Sequence, residues 1–212
     1  MTVELLREQW ERLRGWLDDV DVSAQRERPS GLDGWQVGDL VAHLGIGLHM
    51  LTEIRPDPDA QPTSFGRYVA AYQPAAPVMA EASVQLSAEL GDDLLGGLDR
   101  LAAEAFDVLD PADPARGGLA PVVLGRRGPL TAEDYLCTRL VELVVHADDL
   151  HRVLDPAGPT PVLPQAASEV ASALRAAYRE RAGSDPAPAD DLDWIRLATG
   201  RTPSEDVHLP VL

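Results

Sequence analysis

The sequence has no lysine, no asparagine and only three isoleucines. Without lysine there is no Schiff-base amine and no phosphate-loop lysine, and without asparagine there is no N-glycosylation acceptor. The codons of these residues are AT-rich, so the skew points to a high-GC genome and carries no information on fold. Cysteine occurs once, at Cys137. That excludes an internal disulfide and fits a reducing compartment. Cations are scarce as well. All 18 basic residues are arginine, against 35 Asp+Glu, for a formal net charge of −17. Phosphate binding needs clustered cations, and the only adjacent basic pair is Arg126-Arg127. The same charge repels anionic membrane surfaces. No run reaches the ~18 apolar residues of a membrane span, and the first helix lacks the apolar stretch of a secretory signal. The expectation is a cytoplasmic protein with no nucleic-acid and no membrane partner. Composition leaves a homodimer open.

The chain does contain apolar residues at helical spacing, and its 45% hydrophobic fraction suffices for a core. Val3, Leu6, Trp10, Leu13 and Leu17 predict a helix over 3–20. Residues 21–34, with Pro29, Gly31 and Gly34, read as loop. Leu40, Val41, Leu44, Leu48 and Leu51 predict a second helix from Val37 to about Ile54, ended by Pro56 and Pro58. Residues 56–77 hold five prolines and read as loop with a short helix near Phe65–Tyr72. A third helical region spans Val78–Leu109, with a break expected at Gly96-Gly97. Its acidic side, including Glu89, Asp92, Asp99 and Glu104, reads as a solvated face.

Pro111–Pro121 reads as loop, and Val122–Gly125 as a short extended piece before a turn at Arg126–Gly128. Thr131, with Asp134 three positions on, is a good start for a fourth helix running to Leu154. Beyond a Pro-rich linker at 155–164, further helices are expected at Gln165–Ala182 and Leu192–Thr199. The predicted fold is all-α: a four-helix bundle over 1–154 and a Pro-rich linker with a small helical C-terminal extension over 155–212.

The fourth helix carries a polar stripe, Arg139, Glu142, His146 and Asp149, through a run that also holds Leu140, Val141, Leu143, Val144 and Val145. Polar side chains on a helix this apolar need partners, either each other, another helix or an ion. Glu and His at i and i+4 suit a divalent metal such as zinc. The best third ligand is His43 on the second helix. A hydrogen-bonded core histidine is the plainer explanation of His43 taken alone. Three protein ligands would leave an open position, as in catalytic zinc sites. Cys137 reads as a small buried hydrophobe, His49 and His151 as rim residues, and Trp10, Trp16, Trp35 and Trp194 as core or interface anchors. There is no Gly-rich phosphate loop, no G-x-S-x-G elbow and no H-E-x-x-H helix.

Two segments, Gly34-Trp-Gln-Val-Gly-Asp-Leu-Val-Ala-His43-Leu and Arg139-Leu-Val-Glu142-Leu-Val-Val-His146-Ala-Asp-Asp149-Leu, together resemble the DinB-like proteins of the mycothiol-dependent maleylpyruvate isomerase type. The resemblance covers most of residues 1–154. It implies a DinB-like four-helix bundle with a divalent metal, usually zinc, on His43, Glu142 and His146. It also implies mycothiol as the thiol cosubstrate. That thiol belongs to high-GC actinobacteria, which agrees with the composition. The family commonly has Thr or Ser where this chain has Gln36, a poorer helix cap. A shorter stretch, Asp193–Arg201, resembles part of the sterol-carrier-like domains and carries no lipid function over.

The function expected first is a metal-dependent mycothiol S-transferase or isomerase acting on a small electrophile. In it Arg139 binds an anionic group of substrate or cofactor, and Asp149 orients a ligand histidine. Arg139 as a structural partner of an acid, and Asp149 as a cap or salt bridge, stand beside those roles. Two other functions are carried as well: a non-catalytic ligand- or partner-binding bundle, and a metal-dependent hydrolase.

Overall fold

The computed structural model describes residues 3–110 and 119–212. Most of the loop expected at Pro111–Pro121 lies outside them. In chain order the elements are α1 (Val3–Asp19), α2 (Val37–His49), β1 (Arg55–Pro56), α3 (Phe65–Ala70), α4 (Ala76–Leu90), α5 (Leu94–Val108), β2 (Val122–Gly125), β3 (Gly128–Thr131), α6 (Ala132–Leu154), α7 (Pro164–Ala182) and α8 (Asp191–Ala198). The fold is all-α apart from three short strands. Helices α1, α2, α5 and α6 form the bundle, α4 lies along α2, and α7 and α8 pack on the α1–α6 side.

The apolar stripes read from the sequence are the faces buried. Leu6, Leu13 and Leu17 of α1 and Leu40, Val41 and Leu44 of α2 are fully enclosed. The weak cap at Gln36 is offset nearby. The carboxylate of Asp39 accepts from the Gln36 N–H at 2.9 Å, and carbonyls of Arg28 and Arg26 take the N–H groups of Val37 and Gly38, each at 2.8 Å. Past His49 the helix tightens into a 3-10 turn at Met50–Glu53. At the start of α6, the Thr131 hydroxyl accepts from Asp134 N–H at 3.0 Å, as the spacing predicts.

Two expectations are corrected. The break in the third helical region falls at Gly91–Asp93, where Gly91 has φ +55°, and not at Gly96-Gly97. Those two glycines lie inside the first turn of α5, and the Asp93 and Leu90 side chains fill the space their Cβ atoms would need. The expected turn at Arg126–Gly128 is shorter. Gly128 opens a return strand, and β1-β2-β3 form a small antiparallel sheet with Leu124 opposite Arg55 and Pro129.

Residues after 154 share the bundle's apolar core. Fully buried Gln9 of α1 clamps the Pro-rich segment, donating to Pro161 O at 3.0 Å and accepting from Leu163 N–H at 2.9 Å. Trp194 is 2% exposed and meets Tyr178 edge-on at 5.6 Å. Two adjacent acids of α6 hold the C-terminal part. Asp148 takes both ends of the Arg196 guanidinium at 2.8 and 2.7 Å, and Asp149 takes Arg201. Among the described residues no helix is long and apolar enough to cross a membrane.

Candidate metal centre

Helix α6 places Glu142 and His146 one turn apart on one face, and α2 brings His43 to meet them. On α2 it is Gly47 that faces Glu142 across the seam. A Cβ on Gly47 would lie 3.7 Å from the Glu142 Cβ. The Glu142 Oε2 atom sits 3.2 Å from His43 Nε2 and 3.4 Å from His146 Nε2. One ligand-type atom from each of the three residues falls within 4.8 Å of the others. The two imidazoles stand edge to face, 4.9 Å between centroids. Among the described residues this is the one such cluster.

Each histidine is held from behind through Nδ1. His146 Nδ1 lies 3.0 Å from Asp149 Oδ2. Asp149, buried itself, receives Arg201 at 3.2 and 2.9 Å. Arg201 reaches it because α8 ends in a reversal: Gly200 adopts φ +74° and Arg201 N–H returns to Arg196 O at 2.8 Å. His43 Nδ1 lies 3.2 Å from the Ser83 hydroxyl of α4. The Trp35 ring leans on His43, 5.0 Å between centroids.

Burial disfavours the Glu142 carboxylate, yet hydrogen bonds from His146 and His43 outweigh it and hold Glu142 well below the usual range. Burial lowers His43, only partly opposed by Glu142. For His146 burial again favours the neutral ring, but hydrogen bonds to Asp149 and Glu142 prevail and raise it. Asp149 is pushed down to about 2, as hydrogen bonds from His146 and Arg201 overcome its burial.

Beside the cluster is a cavity of about 370 Å³. Its walls are mostly apolar, with Leu32, Trp35, Met50 and Met79, and three arginines, Arg127, Arg139 and Arg201, line it. Arg139 is 2% exposed. It donates to Gly47 O and Tyr72 Oη, each at 2.9 Å, and to Thr138 Oγ1 at 3.1 Å. Among the described residues no carboxylate forms an ion pair with it, and the Glu142 charge acts on it through space. Burial pushes the Tyr72 phenol up to about 12, so that hydroxyl stays protonated. Arg127 lies over the Tyr72 ring at 4.3 Å.

The five residues of the sequence proposal thus meet at one place, Arg139 and Asp149 flanking the three-residue cluster. Sequence reasoning missed Ser83, Arg201 and the part played by Trp35, which lines the cavity. Trp35 sits inside the first quoted motif, the one signal that could have found it. Cys137 is buried and its thiol is pushed up to about 12, chiefly by burial, which fits an inert hydrophobe. His49 and His151 lie away from the cluster, His49 against Glu104 at 3.2 Å and His151 against Gly158 O at 3.1 Å.

Residues 6–151 match the family described as "Mycothiol maleylpyruvate isomerase N-terminal domain". Comparison with curated proteins and with solved structures returns no match. The matched span takes in all five proposed residues and ends before Arg201, so it gives no support to the sterol-carrier-like resemblance of 193–201.

Proposed function

We propose that this chain, which belongs to the mycothiol maleylpyruvate isomerase N-terminal domain family, is a zinc-dependent S-transferase or isomerase. Mycothiol would be the thiol, and a small electrophile bearing an anionic group the substrate. The observation that carries this reading is the convergence of His43, Glu142 and His146 within 4.8 Å on the wall of a cavity.

The donors suit a divalent cation. They are two imidazole nitrogens and one carboxylate oxygen, the nitrogen–oxygen set zinc takes, and three protein ligands are the number found in catalytic rather than structural sites. Both Nδ1 atoms are engaged elsewhere, which leaves both Nε2 atoms for the cluster. A divalent cation held there supplies the charge that deprotonates a thiol at neutral pH.

The chain's own residues do the rest. Asp149 takes the Nδ1 proton of His146 and fixes that ring, and Arg201 fixes Asp149. Arg139 carries a permanent charge at the cavity wall and makes no direct ion pair among the described residues, so it receives the carboxylate of the electrophile. Trp35, Met50 and Met79 exclude water from the sulfur. The thiol sulfur then adds to an electrophilic carbon, by conjugate addition to an unsaturated acid or by displacement of a leaving group.

Cobalt-substituted protein provides the test. Adding mycothiol is expected to shift its visible absorption. A spectrum that ignores mycothiol while the metal stays bound would overturn the transferase reading in favour of a hydrolase or a binding module.

A further inference from the structure

We propose that Ser83 of α4 is a positioning residue for this centre, accepting the Nδ1 proton of His43 and so presenting a bare Nε2 toward Glu142. The proposal rests on the metal reading above and adds a residue to it.

The assignment follows from counting protons. Ser83 is fully buried. Its hydroxyl oxygen has two near neighbours, Met79 O at 2.8 Å and His43 Nδ1 at 3.2 Å. A hydroxyl has one proton to give, and a carbonyl can only accept. The shorter contact takes that proton, the familiar return of a helical serine to the carbonyl four residues back. Toward His43 the oxygen is then an acceptor, and the ring nitrogen must bring the hydrogen. A neutral imidazole with hydrogen on Nδ1 has a lone pair on Nε2, the form a metal ligand requires. Without Ser83, the Nδ1 hydrogen would be a buried donor with no acceptor.

The setting separates this role from plain packing. In α4 just two residues are buried, Ser83 and Ser87, and both lie in its seam with α2. Ser87 lies against Gly38, where a Cβ would come within 3.0 Å of its hydroxyl. Only Ser83 meets a ligand-type side chain. The two serines are the same residue type, one helical turn apart, so each is the other's control.

Four variants of the 212-residue chain decide the matter, read by competition for zinc against a chelating dye. Ser83→Ala is expected to weaken zinc binding by ~10–100-fold, as loss of a histidine's outer partner does. Ser87→Ala should leave zinc affinity unchanged, and Ser83→Thr, which keeps the hydroxyl, should restore most of it. In zinc-loaded wild type, proton NMR should show a slowly exchanging Nδ1–H from His43, absent in Ser83→Ala. Equal losses in the two alanine variants, or no loss in either, overturn the proposal. If His43→Ala loses zinc and Ser83→Ala does not, the metal reading stands and the role of Ser83 falls. If wild type takes up no zinc, the metal reading fails and this proposal fails with it.

Discussion

The two histidines of the cluster are chemically alike and supported in opposite ways. His146 leans on an ion pair, Asp149 with Arg201, brought from beyond the bundle by the end of α8. His43 leans on a neutral hydroxyl from α4, the helix that lies along its own. Charge behind the ring raises His146, whereas burial without charge lowers His43. One half of the site is therefore basic and electrostatically anchored, and the other is kept neutral chiefly by burial. For a metal ligand the first gives a better donor and the second avoids competition from protons.

Removing the charged support altogether should have the largest effect. A chain ending at Pro164 loses α7, α8 and Arg201, and with them a helix that packs directly on α6. The expected outcome is aggregation, seen as loss of the monodisperse peak in size-exclusion chromatography. A soluble truncation that still binds zinc would show that the C-terminal support is dispensable. Within the intact chain, His146→Ala should abolish zinc binding and thiol-dependent turnover, measured by metal analysis and product formation.

Asp149→Asn should be milder, keeping the fold by circular dichroism while weakening zinc by ~10–100-fold. It should also move the pH dependence. The ligands must be deprotonated, so affinity falls as pH drops through the raised pKa of His146. Without the Asp149 charge that fall should begin at lower pH. Unchanged affinity and an unchanged profile would make Asp149 purely a tie to Arg201.

Acid should affect stability through the same pair. The Asp149 carboxylate has its pKa lowered from 3.8 to about 2 on folding. Its contribution of about 2 kcal/mol is complete above the unfolded value and is lost as pH falls from there through the folded one. His146, raised on folding, contributes below the ordinary histidine range, and that contribution is lost as pH rises through its folded value. Urea titrations of metal-free protein from pH 2 to 8 should therefore show a maximum between the two windows, flattened in Asp149→Asn. The smallest effect is expected from Arg201→Met. It loses hydrogen bonds to a charged group on a partly exposed side chain, about 1–3 kcal/mol by denaturation, and a few-fold in zinc affinity.

How much of this could be read in the sequence depends on the range of the interaction. The polar stripe on α6 was legible because four residues at spacings of three and four must share a face, and the apolar residues around them imply burial. His43 followed from the same logic on a second apolar helix. Arg201 and Ser83 left no such mark. One follows a Gly in a short C-terminal helix's stop, and the other is a serine in a helix with little apolar pattern. Their partners lie 52 and 40 positions away. The sheet escaped for a similar reason, because β1 finds β2 across the 65 positions from 57 to 121 and contributes a mere two residues.

Periodicity and capping are local, so the sequence alone determined the long helices, the start of α6 at Thr131 and the face that carries Glu142 and His146. Which glycine interrupts a helix was a tertiary decision: Gly91 turns at positive φ, while Gly96 and Gly97 make room for the side chains of Asp93 and Leu90. The supports of the two histidines were decided at the same level. A hydrogen-bond partner is chosen by the packing of whole elements, and no spacing within one helix encodes which residue of another will arrive behind a ring.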